Sequence, residues 1–270
     1  VGPPLPPFSF GTRWCRLCRA PGGIGRPQSG QTGSGVASVM ASEHGPRRGK
    51  GKGAMERIEA LVVGAGPAGL MAAEELARAG RAVLVAEAKP SVARKFLMAG
   101  KSGLNLTKAE PFGRFLDAYG AAADPLRPML EGFGPEEVMR WAEGLGQPLF
   151  TGSSGRVFPE AMKASPLLRA WLARLDGLGV ARRVRWRWTG WEGAALRFET
   201  PAGPRLIEAG RTVLALGGAS WARLGSDGAW APWLAAKGVP VEPFTPSNAA
   251  LRVEWWPHMA QHFGRPAEPL

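Results

Sequence analysis

The stretch from Ile58 to Glu87, IEALVVGAGPAGLMAAEELARAGRAVLVAE, decides the fold. Ile58 to Val63 is a short apolar run in which Ile58, Val62 and Val63 are β-branched, so it predicts a buried strand. Gly64-Ala65-Gly66-Pro67-Ala68-Gly69 follows as a turn. Leu70 to Gly80 places Leu70, Ala73, Leu76 and Ala77 on one stripe, the pattern of an amphipathic helix, and Gly80 supplies a stop at its C-terminal end. Arg81 to Ala86 predicts a second strand, with Glu87 at its tip. Strand, turn, helix and strand within about 30 residues make a βαβ unit, whose crossover is right-handed in nearly all proteins.

Each residue of the turn has a physical task. Gly64 permits the tight turn out of the strand, Gly66 lets the backbone come close to a pyrophosphate, and Gly69 lets the helix pack on the strand. The helix start offers free N–H groups and the positive end of its dipole to the phosphates, so Pro67 and Ala68 belong to the same grip. Glu87 stands 21 residues after Gly66, where its carboxylate can accept both hydroxyls of an adenosine ribose. The same charge disfavours a 2′-phosphate, which argues against NADP in this position. The spacing points to an adenine dinucleotide and leaves FAD and NAD both open. A glycine-rich turn in an ordinary α/β domain is the alternative, and 38 glycines in the chain make the motif weak when taken alone.

At 270 residues, 45% hydrophobic and 21% charged, the chain can bury a sizeable core in one or two domains. Two cysteines exclude a disulfide-stapled scaffold. The longest charge-free apolar stretch, Ala60 to Ala73, has 14 residues and falls short of a membrane span of about 18. The net charge of +12 invites a nucleic-acid reading. Residues 1–54, however, hold eight of the 34 basic residues and one of the 22 acidic ones, so most of the excess sits there. That segment also has 12 of the 38 glycines and 7 of the 25 prolines and no apolar period, so disorder is expected. It reads as a nucleic-acid or membrane-surface tail (Arg47 to Lys52 is RRGKGK), as a transit peptide, or as sequence outside the native protein, with Met55 or Met40 as the start; the last is favoured. Cys15 and Cys18 form a lone CxxC there, too few ligands for a zinc site, so no metal is expected. The remaining chain has no cysteine, which fits a reducing cytoplasm.

The loop after Glu87 and Ala88, KPSVARKFLMAGKSGLNLT from Lys89 to Thr107, is basic and rich in small residues. Its cations Arg94, Lys95 and Lys101 and its backbone N–H groups could lie over a bound phosphate or flavin; a solvated basic loop is the alternative. Here the sequence resembles the HI0933-like (BaiN/YhiN-type) flavoproteins. The stretch VVGAGPAGLMAAEELARAGRAVLVAE is similar to the N-terminal fingerprint of FAD-dependent oxidoreductases of the two-dinucleotide-binding-domain type. Lys95, Gly100, Asn105 and Thr107 match the family loop, while Gly103 and Leu104 stand where that loop has Arg and Cys. The AGKSGLNLT version resembles the PP4765-type branch. Ser153 to Leu175 and Thr212 to Leu251 resemble, in order, the family's GRVFP segment with its following helix and its later flavin-binding strand.

Read without the family, Val138 to Leu145 and Pro166 to Leu178 predict amphipathic helices. Val180 to Trp188, Ala195 to Glu199, Arg205 to Ala209 and Arg211 to Leu216 predict strands, the last ending at Gly217-Gly218. Trp186, Trp188 and Trp191 among Arg182, Arg183, Arg185 and Arg187 look like a nucleic-acid face, but a sheet with one packed and one solvated face is favoured. His258 and His262 lack a third ligand, and no Ser–His–Asp arrangement is supported. Asp227-Gly228 faintly resembles the Gly-Asp motif of flavin hydroxylases.

The expected fold is α/β: a doubly wound Rossmann-like FAD-binding domain over residues 55–245 with a small antiparallel sheet, then the start of an inserted β-rich substrate domain over 246–270. The resemblance stops soon after Leu251, and the ending RPAEPL carries no strand or helix signal, so a truncated copy that holds FAD weakly or not at all is expected. The resemblance implies an FAD-dependent oxidoreductase acting on a small organic substrate, with NAD(P)H a candidate reductant. Gly64, Gly66, Pro67, Ala68, Gly69, Glu87, Ala88, Lys95, Lys101, Ser102, Asn105, Gly217 and Gly218 are the candidate cofactor-binding residues. No titratable group stands out as poised, so none is named catalytic. The rivals are an NAD-binding dehydrogenase and a nucleic-acid-binding protein driven by the basic tail. Neither a specific nucleic acid nor a membrane is expected as a partner, and the oligomeric state stays open.

Overall fold

A computed structural model describes residues 55–101, 103–245 and 257–258. The basic segment with Cys15 and Cys18, Ser102, Trp255, Trp256 and His262 lie outside the described residues. The chain opens with β1 (Met55–Val63), α1 (Pro67–Arg78) and β2 (Val83–Glu87), the expected βαβ unit. β1 and β2 pair in parallel from Ala60 with Val83 to Val63 with Ala86. A layer of shorter elements follows: α2 (Arg94–Ala99), β3 (Thr107–Lys108), α3 (Phe112–Asp117), α4 (Ala123–Gly132), α5 (Pro135–Glu143), β4 (Leu149–Thr151) and β5 (Arg156–Pro159). Within it β5 lies between β3 and β4 in a small antiparallel sheet. The chain then returns through α6 (Ala164–Gly177), β6 (Ala181–Val184), β7 (Arg187–Glu192), β8 (Ala195–Thr200), β9 (Gly203–Leu214) and α7 (Ala231–Ala235).

The main sheet has the order β6-β2-β1-β9-β8-β7. β6, β2, β1 and β9 run parallel, whereas β8 and β7 are antiparallel additions. Alternation along β1 and β2 sorts their side chains into two cores. Ala60, Val62, Val83 and Val85 pack with Leu70 and Ala73 of α1 and with Leu167, Trp171 and Leu175 of α6. Leu61, Val63, Leu84 and Ala86 face the other way and pack with Trp188, Leu196, Phe198 and Ile207. β2 and β7 therefore share a core although three strands separate them in the hydrogen-bonded order. The length of β9 permits this: Gly203 to Ile207 pairs with β8 and Leu206 to Leu214 with β1, so the sheet curls and its antiparallel end covers the face opposite the helices.

Three local readings are corrected. Val180 to Trp188 is not one strand: Arg185 adopts φ 60, and the chain leaves β6 there to begin β7. At that corner Arg185 N–H donates to the Lys89 carbonyl at 3.1 Å and Trp186 N–H to the Glu87 carbonyl at 2.8 Å, bonds that an alternating pattern does not reveal. Arg205 to Ala209 and Arg211 to Leu216 are not two strands but the single β9, because Gly210 lets the backbone pass Glu59 of β1 without a break; a Cβ there would lie 3.1 Å from the Glu59 carbonyl. The loop after Glu87 contains a helical turn and a half, α2, with no buried residue and so no apolar period to betray it.

Glu74 fastens α1 to α6. It is 1% exposed and accepts from Trp171 Nε1 at 2.6 Å, from Arg78 Nη2 at 2.5 Å and from Arg174 Nη1 at 3.2 Å. A buried carboxylate is tolerated where several donors satisfy it in this way. Trp188, one of the residues in the suspected nucleic-acid face, is buried in the second core, and Arg183 of that face chelates Glu56.

Candidate functional site

A cleft of about 480 Å³ opens beyond the carboxyl ends of β1, β2 and β9, the place where open parallel sheets bind ligands. Its centre is the turn between β1 and α1. The three glycines of that turn meet different surroundings. A Cβ on Gly64, whose φ is 102°, would lie 2.3 Å from the Ala215 carbonyl oxygen, and one on Gly69 would lie 1.8 Å from the Gly64 carbonyl oxygen. Those two glycines are required by packing. At Gly66 a Cβ would meet nothing within 4 Å. The surface of Gly66 is therefore kept bare toward the cleft, as a ligand that approaches the backbone closely requires. Pro67 occupies the first turn of α1, where its missing N–H costs no hydrogen bond.

Glu87 faces this turn. Its Oε2 accepts from Ala65 N–H at 2.9 Å and its Oε1 from Lys89 N–H at 2.8 Å. The two bonds fix the carboxylate beside the glycine turn and leave further lone pairs toward the cleft. α2 is tied to the same turn: Ala93, at φ 52, donates its N–H to the Ala65 carbonyl at 2.8 Å. Arg94 and Lys95 then follow at the cleft wall. Lys95 Nζ donates to Ser220 Oγ at 3.0 Å, linking α2 to the segment after β9. On that segment Gly217 has φ 72 and a Cβ there would lie 2.6 Å from Ser226 Oγ, while Trp230 Nε1 donates to the Gly217 carbonyl at 3.0 Å.

Gly64, Gly66, Pro67, Ala68, Glu87, Ala88, Lys95, Asn105, Gly217 and Gly218 line one cleft although they come from four separate stretches of sequence. Gly69 lies behind the turn and acts in packing. Lys101 is exposed and stands off the cleft lining, since its backbone closes α2 through an N–H bond to the Met98 carbonyl. Ser102 lies outside the described residues. Sequence reasoning missed Lys89, Ser91, Trp186, Trp221 and Ser226 as cleft residues and noted Arg94 only as a loop cation. Lys89 could have been found, because it directly follows the strand-end acid; Trp221, 56% exposed at φ 62, carries no signal in a chain with 11 tryptophans.

Asp227 lies in the lining 3.8 Å from Arg187 and accepts from Ala229 N–H. The carboxyls that depart from their ordinary range include two outside the cleft: the Arg183 guanidinium bonded to Glu56 holds its carboxyl low, and burial pushes that of Glu75 up. Among the described residues no group of His, Cys, Asp and Glu could hold a metal ion, and no helix is long and apolar enough to cross a membrane. The arrangement offers amides, a helix start and cations to an anion, and a carboxylate to hydroxyls.

The model of the HI0933-like protein Rossmann domain family matches residues 58–248, well over half of the chain. The chain is 29% identical over 202 residues to the 3-dehydro-bile acid Δ4,6-reductase of Clostridium scindens, a match covering 73% of this chain and 48% of the reductase. The matched region thus spans about half the length of that curated relative. Among solved structures, 3-ketosteroid-Δ4-(5α)-dehydrogenase of Rhodococcus jostii RHA1 is 17% identical with a TM-score of 0.44, covering 60% of this chain and 46% of that one. The open conformation of a flavocytochrome c3 fumarate reductase is 20% identical with a TM-score of 0.43, covering 60% and 34%.

Proposed function

The chain belongs to the HI0933-like family, and from that premise we propose that it is the FAD-binding part of a flavin-dependent oxidoreductase acting on a small organic substrate. The observation that carries the reading is the pairing of a bare Gly66 with a Glu87 carboxylate turned toward the same turn. Gly64, Gly66, Pro67 and Ala68 receive the diphosphate, with Gly69 holding the helix start in place. Glu87 and Ala88 receive the adenosine ribose. Lys95, Asn105, Gly217 and Gly218 form the walls along which the dinucleotide extends, and Lys101 and Ser102 remain candidates from the same loop. When bound, FAD supplies a two-electron acceptor and donor for hydride transfer. The protein's own residues bind it, orient it and shelter it from water through the aromatic walls Trp186 and Trp230.

Residues 55–245 form the FAD-binding domain in this reading, and 246–270 begin a substrate domain. The printed activity of the Clostridium scindens relative, on a bile acid, supports a small-molecule substrate. NAD(P)H as reductant and a cytoplasmic setting belong to the same proposal, the latter supported by a sequence without cysteine after residue 18. The test is a titration of the purified chain with FAD and with NAD, followed by quenching of flavin and protein fluorescence. Saturable FAD binding with weaker NAD binding supports the reading. Preferential NAD binding would replace it with a dehydrogenase; weak FAD binding is the expectation for this chain, and failure to bind even ADP, the half of the dinucleotide held by the glycine turn and Glu87, would remove the reading. Anaerobic bleaching of bound FAD by NADH or NADPH tests the reductant.

A further inference from the structure

The lining of the cleft is drawn from both cores. The walls that shelter the dinucleotide, Trp186 and Trp230, pack on the second core. Another part of the lining belongs to the first core, under α1 and α6, and has no task in the reading above. It comprises Met71 of α1, Phe96 of α2, Leu104 of the loop before β3, Val138 and Trp141 of α5 and Trp171 of α6. All six side chains are apolar or aromatic, and they come from five separate elements that converge beyond the glycine turn. The sequence hides this convergence, because each residue reads as ordinary core of its own element.

The two indoles of this part differ in one respect. Trp171 Nε1 donates to the buried Glu74 carboxylate at 2.6 Å. Trp141 stands edge to face against Trp171, with ring centroids 4.8 Å apart at 81°, and its own Nε1 is buried without a partner among the described residues. A buried indole N–H ordinarily finds an acceptor, and leaving one unmet is costly. Water is a poor remedy, since a buried water needs about two to four polar partners and the neighbouring side chains are apolar. The isoalloxazine ring fits no better: its pyrimidine edge carries several acceptors and an N–H, and a single donor leaves the others unmet. A carboxylate would give up its hydration for one neutral bond, and an alcohol brings a proton that finds no acceptor. What satisfies the site is a ring molecule that is apolar except for one acceptor oxygen. Arg94 Nε is unpartnered as well, but its side chain is charged and belongs with Lys89 and Lys95 to the cationic part of the lining.

We propose that the first-core part of the cleft is a substrate subsite for a neutral cyclic ketone, whose oxygen accepts a hydrogen bond from Trp141 Nε1. The inference rests on the oxidoreductase reading above and adds to it a substrate class and the residue that selects it. Burial of the ring against Phe96, Val138 and the indoles supplies affinity, and the single N–H supplies the choice of ketone over hydrocarbon or alcohol. Glu74 is a positioning residue here: it holds Trp171, and Trp171 holds the plane of Trp141.

Calorimetric titration of the whole chain with three probes of one shape tests it, with no flavin chemistry involved: 1-tetralone, the alcohol 1-tetralol and the hydrocarbon tetralin. The wild-type chain should bind the ketone most tightly, with or without saturating ADP. Trp141→Phe keeps an aromatic edge against Trp171 and removes the N–H. It should weaken 1-tetralone by about 2- to 12-fold, the range for one neutral hydrogen bond, and leave tetralin and ADP unchanged, so that the ketone preference collapses. The infrared carbonyl band of bound 1-tetralone should lie below its position in hydrocarbon solvent and return toward it in the variant. Should the variant fail to fold, the order of the three probes and the position of the band in the wild-type chain decide. No saturable ketone binding, equal affinity for ketone and tetralin, or a carbonyl band at its hydrocarbon position overturns the inference. So does a ketone preference that survives in a folded Trp141→Phe. Competition between 1-tetralone and ADP overturns it too, because the ketone then occupies the dinucleotide part of the cleft. Failure of the wild-type chain to bind ADP removes the dinucleotide reading instead, and the three probes read the subsite independently of it.

Discussion

Replacing Gly66 by alanine separates binding from folding. Gly66 has φ −79 and ψ −178, an extended conformation open to any residue, and its added Cβ would meet nothing within 4 Å. Without ligand, Gly66→Ala should therefore raise stability by about 0.4–1 kcal/mol, through the lower entropy of the unfolded chain. For a folded region of this size that is about 1–4 °C in melting temperature. With ligand, the methyl group occupies the space where the diphosphate meets the backbone. Two charge-assisted backbone hydrogen bonds, at about 1.5–3 kcal/mol each, are then lost. The sum of about 3–6 kcal/mol weakens binding by about 100- to 10,000-fold at about 1.4 kcal/mol per decade. Thermal melts of the free protein and fluorescence titration with FAD give the two quantities. A variant that melts as expected yet binds FAD as well as wild type refutes the role of Gly66. A variant that unfolds refutes the open geometry of the turn.

Gly69→Ala makes the contrasting case: its Cβ would lie 1.8 Å from the Gly64 carbonyl oxygen, so the helix must move off the strand and the melting temperature should fall steeply. Glu87→Gln should weaken ADP by about tenfold and shift the ratio toward 2′-phosphorylated nucleotides, read by parallel titration with ADP and 2′,5′-ADP. Glu74→Ala leaves Trp171 Nε1 and Arg174 without their shared buried acceptor and should cost about 3–5 kcal/mol in urea unfolding. The Arg183 guanidinium bonded to Glu56 lowers that carboxyl's folded pKa below 4.5, so its contribution is complete above pH 4.5 and is lost as pH falls through the lowered value. Glu56→Gln should accordingly melt below wild type at pH 7, with a gap that closes only on acidification below pH 4.5; a gap constant down to pH 2.5 would rule the linkage out.

Much of the site could be read from the sequence because its parts are local. The turn, the helix start and Glu87 sit within one βαβ unit, and each is announced by a residue type that the backbone demands there. The pairing of β9 beside β1, and with it Gly217 and Gly218 at the cleft, came from family resemblance, since a buried parallel strand carries no mark of its neighbour. The corner at Arg185 and the continuity of β9 through Gly210 were hidden for a different reason. Both depend on which backbone groups meet across the sheet, and alternation reports burial without naming the partner. α2 escaped because all its residues stay partly exposed and its place is fixed by bonds to residues distant in sequence, Ala93 N–H to the Ala65 carbonyl and Lys95 Nζ to Ser220 Oγ. Arg94 was visible as a charge, but its lack of an acid partner among the described residues is a property of the fold alone.

A crystal structure of the chain grown with FAD tests the central claim most directly. The expected result is density with the diphosphate against the backbone of Gly66 and Pro67 and the adenosine ribose on the Glu87 carboxylate. A dinucleotide seated elsewhere, or a Glu87 side chain that turns out to solvent with the ligand bound, contradicts it.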